Sequence, residues 1–125
     1  MKLASNILRF KTDLEGVYQI RFGPKAITWE CLRGKDKGSS RTVFYETVEI
    51  ASKEHFVTWL NADNEVVRMI ANLKNKTISY NFKNKGIRQF SKGEIIFFGP
   101  PAYANDHKIL KALKRIWIRK ETNRL

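Results

Sequence analysis

Apolar and polar residues alternate in short segments along most of this chain, from residue 16 to residue 99. In the segment GVYQIRFG, Val17 and Gln19 fall on one face, while Tyr18, Ile20 and Phe22 fall on the other. A period of two is the pattern of a β-strand with one buried face. Strands separated by turns every roughly 8–12 residues predict an antiparallel sheet that curls into a sandwich or barrel.

Eight neighbouring strands in an up-and-down meander account for this alternation. They are predicted at 16–22, 26–32, 41–50, 55–60, 65–73, 77–82, 87–90 and 94–98. Glycine, proline, asparagine and aspartate separate them, and these residues tolerate the backbone conformations of tight turns. The sequence therefore predicts an all-β antiparallel barrel over residues 16–99.

The two ends of the chain are predicted to differ from the strand pattern. Residues 1–15 are expected to form an N-terminal arm or a short helix. Pro100 and Pro101 end the sheet, because proline cannot donate to a ladder of hydrogen bonds. Residues 105–121 then predict a C-terminal basic amphipathic helix with one apolar stripe. The whole chain, residues 1–125, is expected to be a single domain.

The charge of the chain is strongly positive and uneven. There are 24 Lys and Arg against 12 Asp and Glu, a formal net charge of +12. Residues 63–125 carry 14 basic and 5 acidic side chains, against 10 and 7 in residues 1–62. A basic half attracts nucleic acid, an anionic membrane or an acidic protein, although a solvated surface explains it as well.

The cysteine count and the N-terminus bear on the compartment. Cys31 is the only cysteine, so no disulfide can form within the chain, which favours a reducing compartment. Asn6, Arg9 and Lys11 interrupt the apolar residues near the N-terminus, so no signal peptide is predicted. No stretch approaches the roughly 18 apolar residues of a membrane span. The expected location is the cytoplasm.

Signatures of catalysis are not apparent in the sequence. It shows no nucleophile elbow, phosphate-binding loop or metal motif, so no catalytic residue, metal or cofactor is predicted. His55 and His107 lie far apart and lack cysteine or carboxylate neighbours at the spacing of metal ligands. Cys31 has no activating partner nearby in sequence and is expected to be a small buried residue.

Alternate strand residues supply candidates for a small-molecule site inside the barrel. Aromatic and soft apolar surface would come from five residues, Trp29, Tyr45, Trp59, Met69 and Tyr80. A polar head group would be held by three charged residues, Arg41, Glu46 and Arg68. Mostly apolar surface with a few polar groups is typical of ligand sites. The alternative is that the same aromatic residues fill a solid core.

The predicted C-terminal helix supplies the second candidate site. Its basic residues would contact the phosphates of a nucleic acid or an acidic protein. They are Lys108, Lys111, Lys114, Arg115, Arg119 and Lys120. Trp117 and Ile118 are about 100° apart around a helix, so one barrel surface does not bury both. The helix is therefore expected either to leave Ile118 for a partner chain or to mediate a homodimer.

The stretch YETVEIASKEHFVTWLNADNEVVRMIANLKNKTISYNF resembles the MoaF-like and phenolic-acid-decarboxylase families of lipocalin-like (calycin) barrels. The shared pattern is a strand ending in Ile50, the step Val57-Thr58-Trp59, an acidic turn at Asp63-Asn64 and a valine-rich strand at Val66-Val67. GVYQIRFG is similar to the first strand of these barrels. The resemblance covers residues 16–98 and implies a lipocalin-like barrel of eight strands.

The resemblance to the decarboxylases implies one enzymatic alternative. Those enzymes use two tyrosines on the first strand, an arginine on an early strand and a glutamate ahead of the strand with the tryptophan. Tyr18 and Arg41 are the available counterparts, while Arg21 and Gly23 stand at the tyrosine pair and Ser52 near the glutamate. A general acid or base must lie within hydrogen-bond reach of its substrate. A non-enzymatic barrel that binds a small apolar or aromatic, or acidic, molecule is therefore the first hypothesis, and a decarboxylase-type cavity enzyme the third.

Overall fold

Eight antiparallel strands, each paired with its neighbours in sequence, close into a barrel. This computed structural model describes residues 2–13, 16–61, 64–84 and 86–104. The strands are β1 (Ile7–Thr12), β2 (Val17–Phe22), β3 (Ala26–Arg33), β4 (Ser40–Ala51), β5 (Glu54–Leu60), β6 (Val66–Asn72), β7 (Thr77–Asn84) and β8 (Ile87–Gly99). A short helix, α1 (Pro101–Ala104), follows β8. The predicted all-β, eight-stranded, up-and-down barrel is confirmed.

Pairing between the first and last strands closes the barrel. In this pairing Leu8 lies opposite Phe98, and Thr12 lies opposite Gly93, with a bulge in the register after Arg9. A Cβ atom at Gly93 would lie 2.5 Å from the carbonyl oxygen of Lys11. Only glycine therefore permits β1 and β8 to approach this closely, because the obstacle is backbone that has no rotamer to move to.

Two segments differ from the sequence prediction. Residues 7–12 form β1, not an arm or a short helix, because Leu8, Phe10 and Thr12 alternate with three outward residues in the two-residue period of a strand. Residues 87–99 form the single strand β8, not two strands separated by a turn near Gly93. The barrel therefore spans residues 7–99. The predicted number of eight strands is correct because two differences cancel: β1 was not predicted, and β8 was predicted as two strands.

The barrel interior is filled at one end. This closed end carries the turns at 23–25 and 73–76, and its core is mostly aliphatic. The buried residues there are Leu3, Leu8, Phe22, Ile27, Val57, Ala71, Ile78 and Ile95. Leu3 is held in place because the backbone N–H of Ser5 donates to the carbonyl of Phe22 at 2.7 Å, and the N–H of Phe22 donates to the carbonyl of Asn6 at 3.0 Å.

The chain leaves the barrel along the outer side of its seam. Ala104 of α1 packs with Ile7 and Phe97 in a small buried cluster on the outside of β1 and β8. Residues 105–121, predicted as a basic helix, lie outside the described residues. In the part of the chain that the structure describes, no helix has the length and apolar character needed to cross a membrane.

Candidate functional site

The interior of the barrel is hollow at the end opposite the closed end. This open end carries the connection at 34–39 together with Asn61, Asn64 and Glu65, and a cavity of about 300 Å³ lies inside it. The lining residues are Phe10, Tyr18, Ile20, Trp29, Asp36, Ser39, Trp59, Asn61, Val67, Met69, Tyr80 and Phe82. The volume is at the lower limit of the roughly 300–1,000 Å³ of small-molecule sites.

A chain of aromatic rings forms one wall of the cavity. Phe10 stacks on Tyr18, with ring centroids 5.8 Å apart, and meets the edge of Tyr80 at 6.1 Å. Tyr80 stacks in turn on Phe82 at 5.9 Å. The rings of Phe10 and Tyr80 can meet across β8 because that strand turns only Ser91 and Gly93 inward between them. Such contacts are typical of aromatic pairs and hold the rings in place.

Trp29, which lines this cavity, carries a buried indole nitrogen that is unsatisfied among the described residues. Trp29 lies on β3, and its Nε1 atom is buried with no hydrogen-bond partner in the described part of the chain. Indole nitrogen is a donor only, so it requires an acceptor. Leaving a buried donor without a partner costs about 1–3 kcal/mol. Because Nε1 itself is enclosed, a ligand acceptor reaches it, and recovers that free energy, only if the indole ring turns toward the cavity.

The tyrosines of the cavity are protonated phenols at neutral pH. Burial raises the pKa of Tyr18 to about 12, with smaller contributions from Cys31, Tyr80 and Asp36. Burial also raises the pKa of Tyr80, against the opposing effect of its hydrogen bond with Ser91. The phenol groups therefore add no charge to the cavity. They contribute polar groups that can hydrogen-bond a ligand without attracting an ion.

Four of the predicted ligand-binding residues are brought together in this cavity. They are Trp29, Trp59, Met69 and Tyr80, from four different strands. Tyr45 packs against the same core, but its hydroxyl donates to the carbonyl of Gly23 at 2.7 Å. Burial raises the pKa of Tyr45, so this hydroxyl remains a donor. Tyr45 thus supports the β2–β3 turn and does not line the cavity.

The three predicted charged residues are not brought to the cavity. Arg41 lies opposite Trp29 in the register of β3 and β4, but its side chain is exposed. Glu46 and Arg68 both lie opposite Thr58, on the outer face of the barrel. Glu46 instead borders a more open depression of about 540 Å³ near Pro24, Phe44 and Leu60. Among the described residues, none of those that line the cavity is a lysine or arginine.

Several lining residues were missed in the sequence. The sequence prediction places Phe10 in an N-terminal arm, whereas its alternation with Leu8 and Thr12 marks a strand face. Tyr18 and Phe82 were seen only as strand residues, and they share the inward face with Ile20 and Tyr80. Asp36, Ser39 and Asn61 belong to loops, whose position over the open end has no periodic signal in the sequence.

His55 is buried away from the cavity. It lies on β5 opposite Glu49 and is only 3% exposed, and its Nε2 atom has no hydrogen-bond partner among the residues that the structure describes. Burial lowers its pKa, with an opposing effect from Glu49. In the described ranges, no group of three or more His, Cys, Asp or Glu side chains could hold a metal ion. His107 and the six basic residues predicted to bind nucleic acid, between Lys108 and Lys120, lie outside those ranges.

The likeness to known proteins agrees with this architecture. The sequence profile of the MoaF-like family matches residues 8–95. Among solved structures, the chain is similar to a crystal structure from Burkholderia vietnamiensis described as a "putative beta-lactamase". The TM-score is 0.71 and the sequence identity is 15%, and the alignment covers 76% of this chain and 94% of the other. At this identity the likeness concerns the fold alone. No curated protein matches the sequence.

Proposed function

The chain belongs to the MoaF-like family, and from the geometry of its barrel we propose that it binds a small, uncharged aromatic molecule at the open end. The observation that carries this proposal is the aromatic cavity of about 300 Å³ with the unpaired Nε1 donor of Trp29. The proposed role is binding, because the tyrosines that line the cavity stay protonated at neutral pH, and the carboxylate among its described lining residues, Asp36, belongs to the 34–39 connection at the open end and not to the aromatic wall.

The walls of the cavity favour a flat, apolar ligand. Phe10, Tyr18, Tyr80 and Phe82 present ring surface from one side, and Trp59 with Met69 adds further apolar surface. Each Å² of apolar surface removed from water contributes about 25 cal/mol. An aromatic ligand also gains from offset or edge contacts with the rings, about 0.5–1.5 kcal/mol for each pair.

The polar groups of the cavity select an uncharged ligand with an acceptor. Trp29 supplies a donor that lacks a partner. An acidic ligand would need a cation, and the arginines proposed from the sequence, Arg41 and Arg68, are exposed outside the cavity. A carboxylate buried without a partner is strongly disfavoured. We therefore expect a neutral carbonyl or similar acceptor to be preferred over an acid.

Three small probes distinguish these features. Acetophenone has a ring and an acceptor, ethylbenzene has a ring alone, and benzoate has a ring and a charge. Binding is measured by quenching of tryptophan fluorescence and by isothermal titration calorimetry. We expect acetophenone to bind tightest, ethylbenzene about tenfold more weakly, consistent with one hydrogen bond of about 1.4 kcal/mol, and benzoate weakest.

The Trp29→Phe variant tests the assigned donor. It should lower the affinity for acetophenone to that for ethylbenzene and leave the affinity for ethylbenzene nearly unchanged. Phe44→Ala is the matched control, because Phe44 is 80% exposed on the outer face of β4 and does not line the cavity. If none of the probes bound at millimolar concentration, or if benzoate bound tightest, the proposal would be wrong.

A further inference from the structure

The outer face of β6, β7 and β8 is cationic. The strand registers place its side chains in three cross-strand rows, which are Arg68–Asn81–Phe90, Ile70–Ser79–Lys92 and Lys83–Arg88. Four of these eight residues are basic. Among the described residues of this face, Glu94 is the only acid, and it lies at the edge, opposite Lys11 and Thr77. We call this surface the cationic face.

An exposed aromatic ring lies in the middle of the cationic face. Phe90 is 76% exposed, although it lies within a regular strand. Arg88 and Lys92 are its neighbours on the same side of β8, each about 7 Å away along the strand. Asn81 lies directly opposite Phe90, and Arg68 lies one strand further. The ring is thus surrounded by cationic and polar groups and by no apolar cluster.

The second highly exposed phenylalanine has a different setting. Phe44 borders the open depression together with Leu60 and Val66, and Glu46 lies on the same face of its strand. An apolar protein surface could cover Phe44 and its neighbours together. Covering Phe90 with such a surface would strip water from Arg88 and Lys92 as well, which is costly for unpaired charges. The partner of Phe90 must therefore be aromatic and anionic together.

The cations of this face are available to a partner. Arg68, Lys83 and Lys92 are exposed, and none makes a salt bridge or side-chain hydrogen bond within the part of the chain that the structure describes. Arg88 donates to the Oδ1 atom of Asn81, which holds its guanidinium against the sheet beside Phe90. Unpaired positive charge on this scale attracts polyanions over several ångströms.

We infer that the cationic face binds single-stranded nucleic acid. A base stacks on Phe90, and the phosphates on either side contact Arg68, Lys83 and Lys92. Unpaired bases expose their faces for stacking, whereas a duplex keeps them covered. The site is separate from the proposed cavity, because inward-facing Tyr80 and Phe82 alternate along β7 with the outward residues of this face.

The test measures binding of a fluorescein-labelled 12-nucleotide oligothymidylate to the full chain by fluorescence anisotropy across a series of salt concentrations. We expect affinity to fall as salt rises, with a log–log slope of about −0.7 for each phosphate contacted. Phe90→Ala should weaken binding about tenfold at every salt concentration, as loss of one stacked base does, without changing the slope. Phe90→Trp should keep the affinity.

Removing basic residues from the cationic face should instead change the slope of log affinity against log salt concentration. The triple variant Arg68→Gln, Lys83→Gln and Lys92→Gln should make the slope shallower by about 2, because three contacts are lost. Its matched control removes three exposed lysines elsewhere, through Lys25→Gln, Lys35→Gln and Lys37→Gln. The control has the same net charge and should keep the slope within about 0.5 of that of the unmodified chain.

Four outcomes would overturn the inference. The first is no binding at low salt, and the second is equal competition by a duplex of the same length. The third is equal competition by poly-glutamate, which would indicate an acidic protein partner. The fourth is a combination of two results. Binding is unchanged in the Phe90→Ala variant and in the triple variant of the cationic face, but it is lost in a variant with Lys114→Gln, Arg115→Gln and Arg119→Gln. That combination would assign the binding to residues 105–121. Near-ultraviolet circular dichroism confirms that each variant is folded.

Discussion

The two ends of the barrel interior are built from the same strands and have opposite character. On β5, Val57 is fully buried at the closed end, and two residues later Trp59 lines the cavity. On β7, Ile78 is 1% exposed at the closed end, and Tyr80 lines the cavity two residues further along. One step of the inward-facing pattern therefore separates a packed core from a hollow site.

The difference follows from the shape of the side chains. Branched aliphatic side chains interdigitate and fill the narrow interior of an eight-stranded barrel. Flat rings that contact one another by stacking or edge to face, as Phe10, Tyr18 and Tyr80 do, stay against the wall and leave space in front of them. We expect stability to be concentrated at the closed end, whereas the ligand binding that we propose would use the open end.

The largest expected effect tests the packed end directly. Val57→Asp places a carboxylate among aliphatic side chains, with no partner to compensate its burial. We expect a loss of about 4–5 kcal/mol or more in the free energy of unfolding, measured by urea denaturation, enough to unfold a typical domain. Leu60→Asp, on an outer position that is 49% exposed, is the control and should stay within about 1 kcal/mol of the unmodified protein. A folded Val57→Asp variant would contradict the assignment.

A substitution with an intermediate effect on stability distinguishes the packed closed end from the hollow open end. Ala71 is fully buried at the closed end, so Ala71→Leu should overpack the core and cost about 1–3 kcal/mol. Val67 lines the cavity, so Val67→Leu has space to extend into and should change stability by less than about 0.5 kcal/mol. It should also weaken acetophenone binding. Equal destabilisation by the two substitutions in thermal and urea unfolding would show that the two ends are packed alike.

The smallest expected effect is the pH dependence of stability, in which the two ends respond at opposite extremes. Burial lowers the pKa of His55 near the closed end, so the unfolded chain binds the proton more readily. Stability should be complete above the ordinary pKa of 6.5 and decline as the pH falls below it. Burial raises the pKa of Tyr18 at the open end from 10.0 to about 12, so stability should decline as the pH rises through that interval.

Melting temperatures between pH 4.5 and pH 12 measure both declines. His55→Gln should flatten the acid side of the profile and leave the alkaline side unchanged. Tyr18→Phe should flatten the alkaline side, while titration of absorbance at 295 nm shows one fewer late-ionising phenol. An acid decline that is equally steep in the His55→Gln variant would assign it to other groups.

The alternation of residues predicted the barrel but left the assignment of its first and last strands wrong. Leu8 and Phe10 alternate as clearly as Tyr18 and Ile20, yet their position at the N-terminus favoured an arm. The sequence predicts a turn at Gly93. In the structure, Gly93 instead allows the backbone of Lys11 on β1 to approach β8 closely, and β1 lies about eighty residues away in sequence. A contact between residues so far apart in sequence leaves no pattern in the residues around either of them.

The candidate site, like the fold, was predicted only in part from the sequence. Trp29, Trp59, Met69 and Tyr80 were found because large apolar side chains at alternate positions must face inward. Arg68 precedes Met69, and Glu46 follows Tyr45, so a strict two-residue period already places each charged residue on the opposite face. Which positions remain hollow depends on how ring shapes fit together across several strands, and the sequence pattern does not contain that information.

The seam between β1 and β8 affects how the protein is made. Leu8 and Phe98 are neighbours across the seam but about ninety residues apart in the chain. A ribosome adds about 5–20 residues each second, so β1 waits roughly 5–20 seconds for its partner to be synthesised. Until then, any sheet that the earlier strands form has two unpaired edges, and such edges are prone to pair with other chains. Folding of the barrel is therefore complete only after β8 has been synthesised.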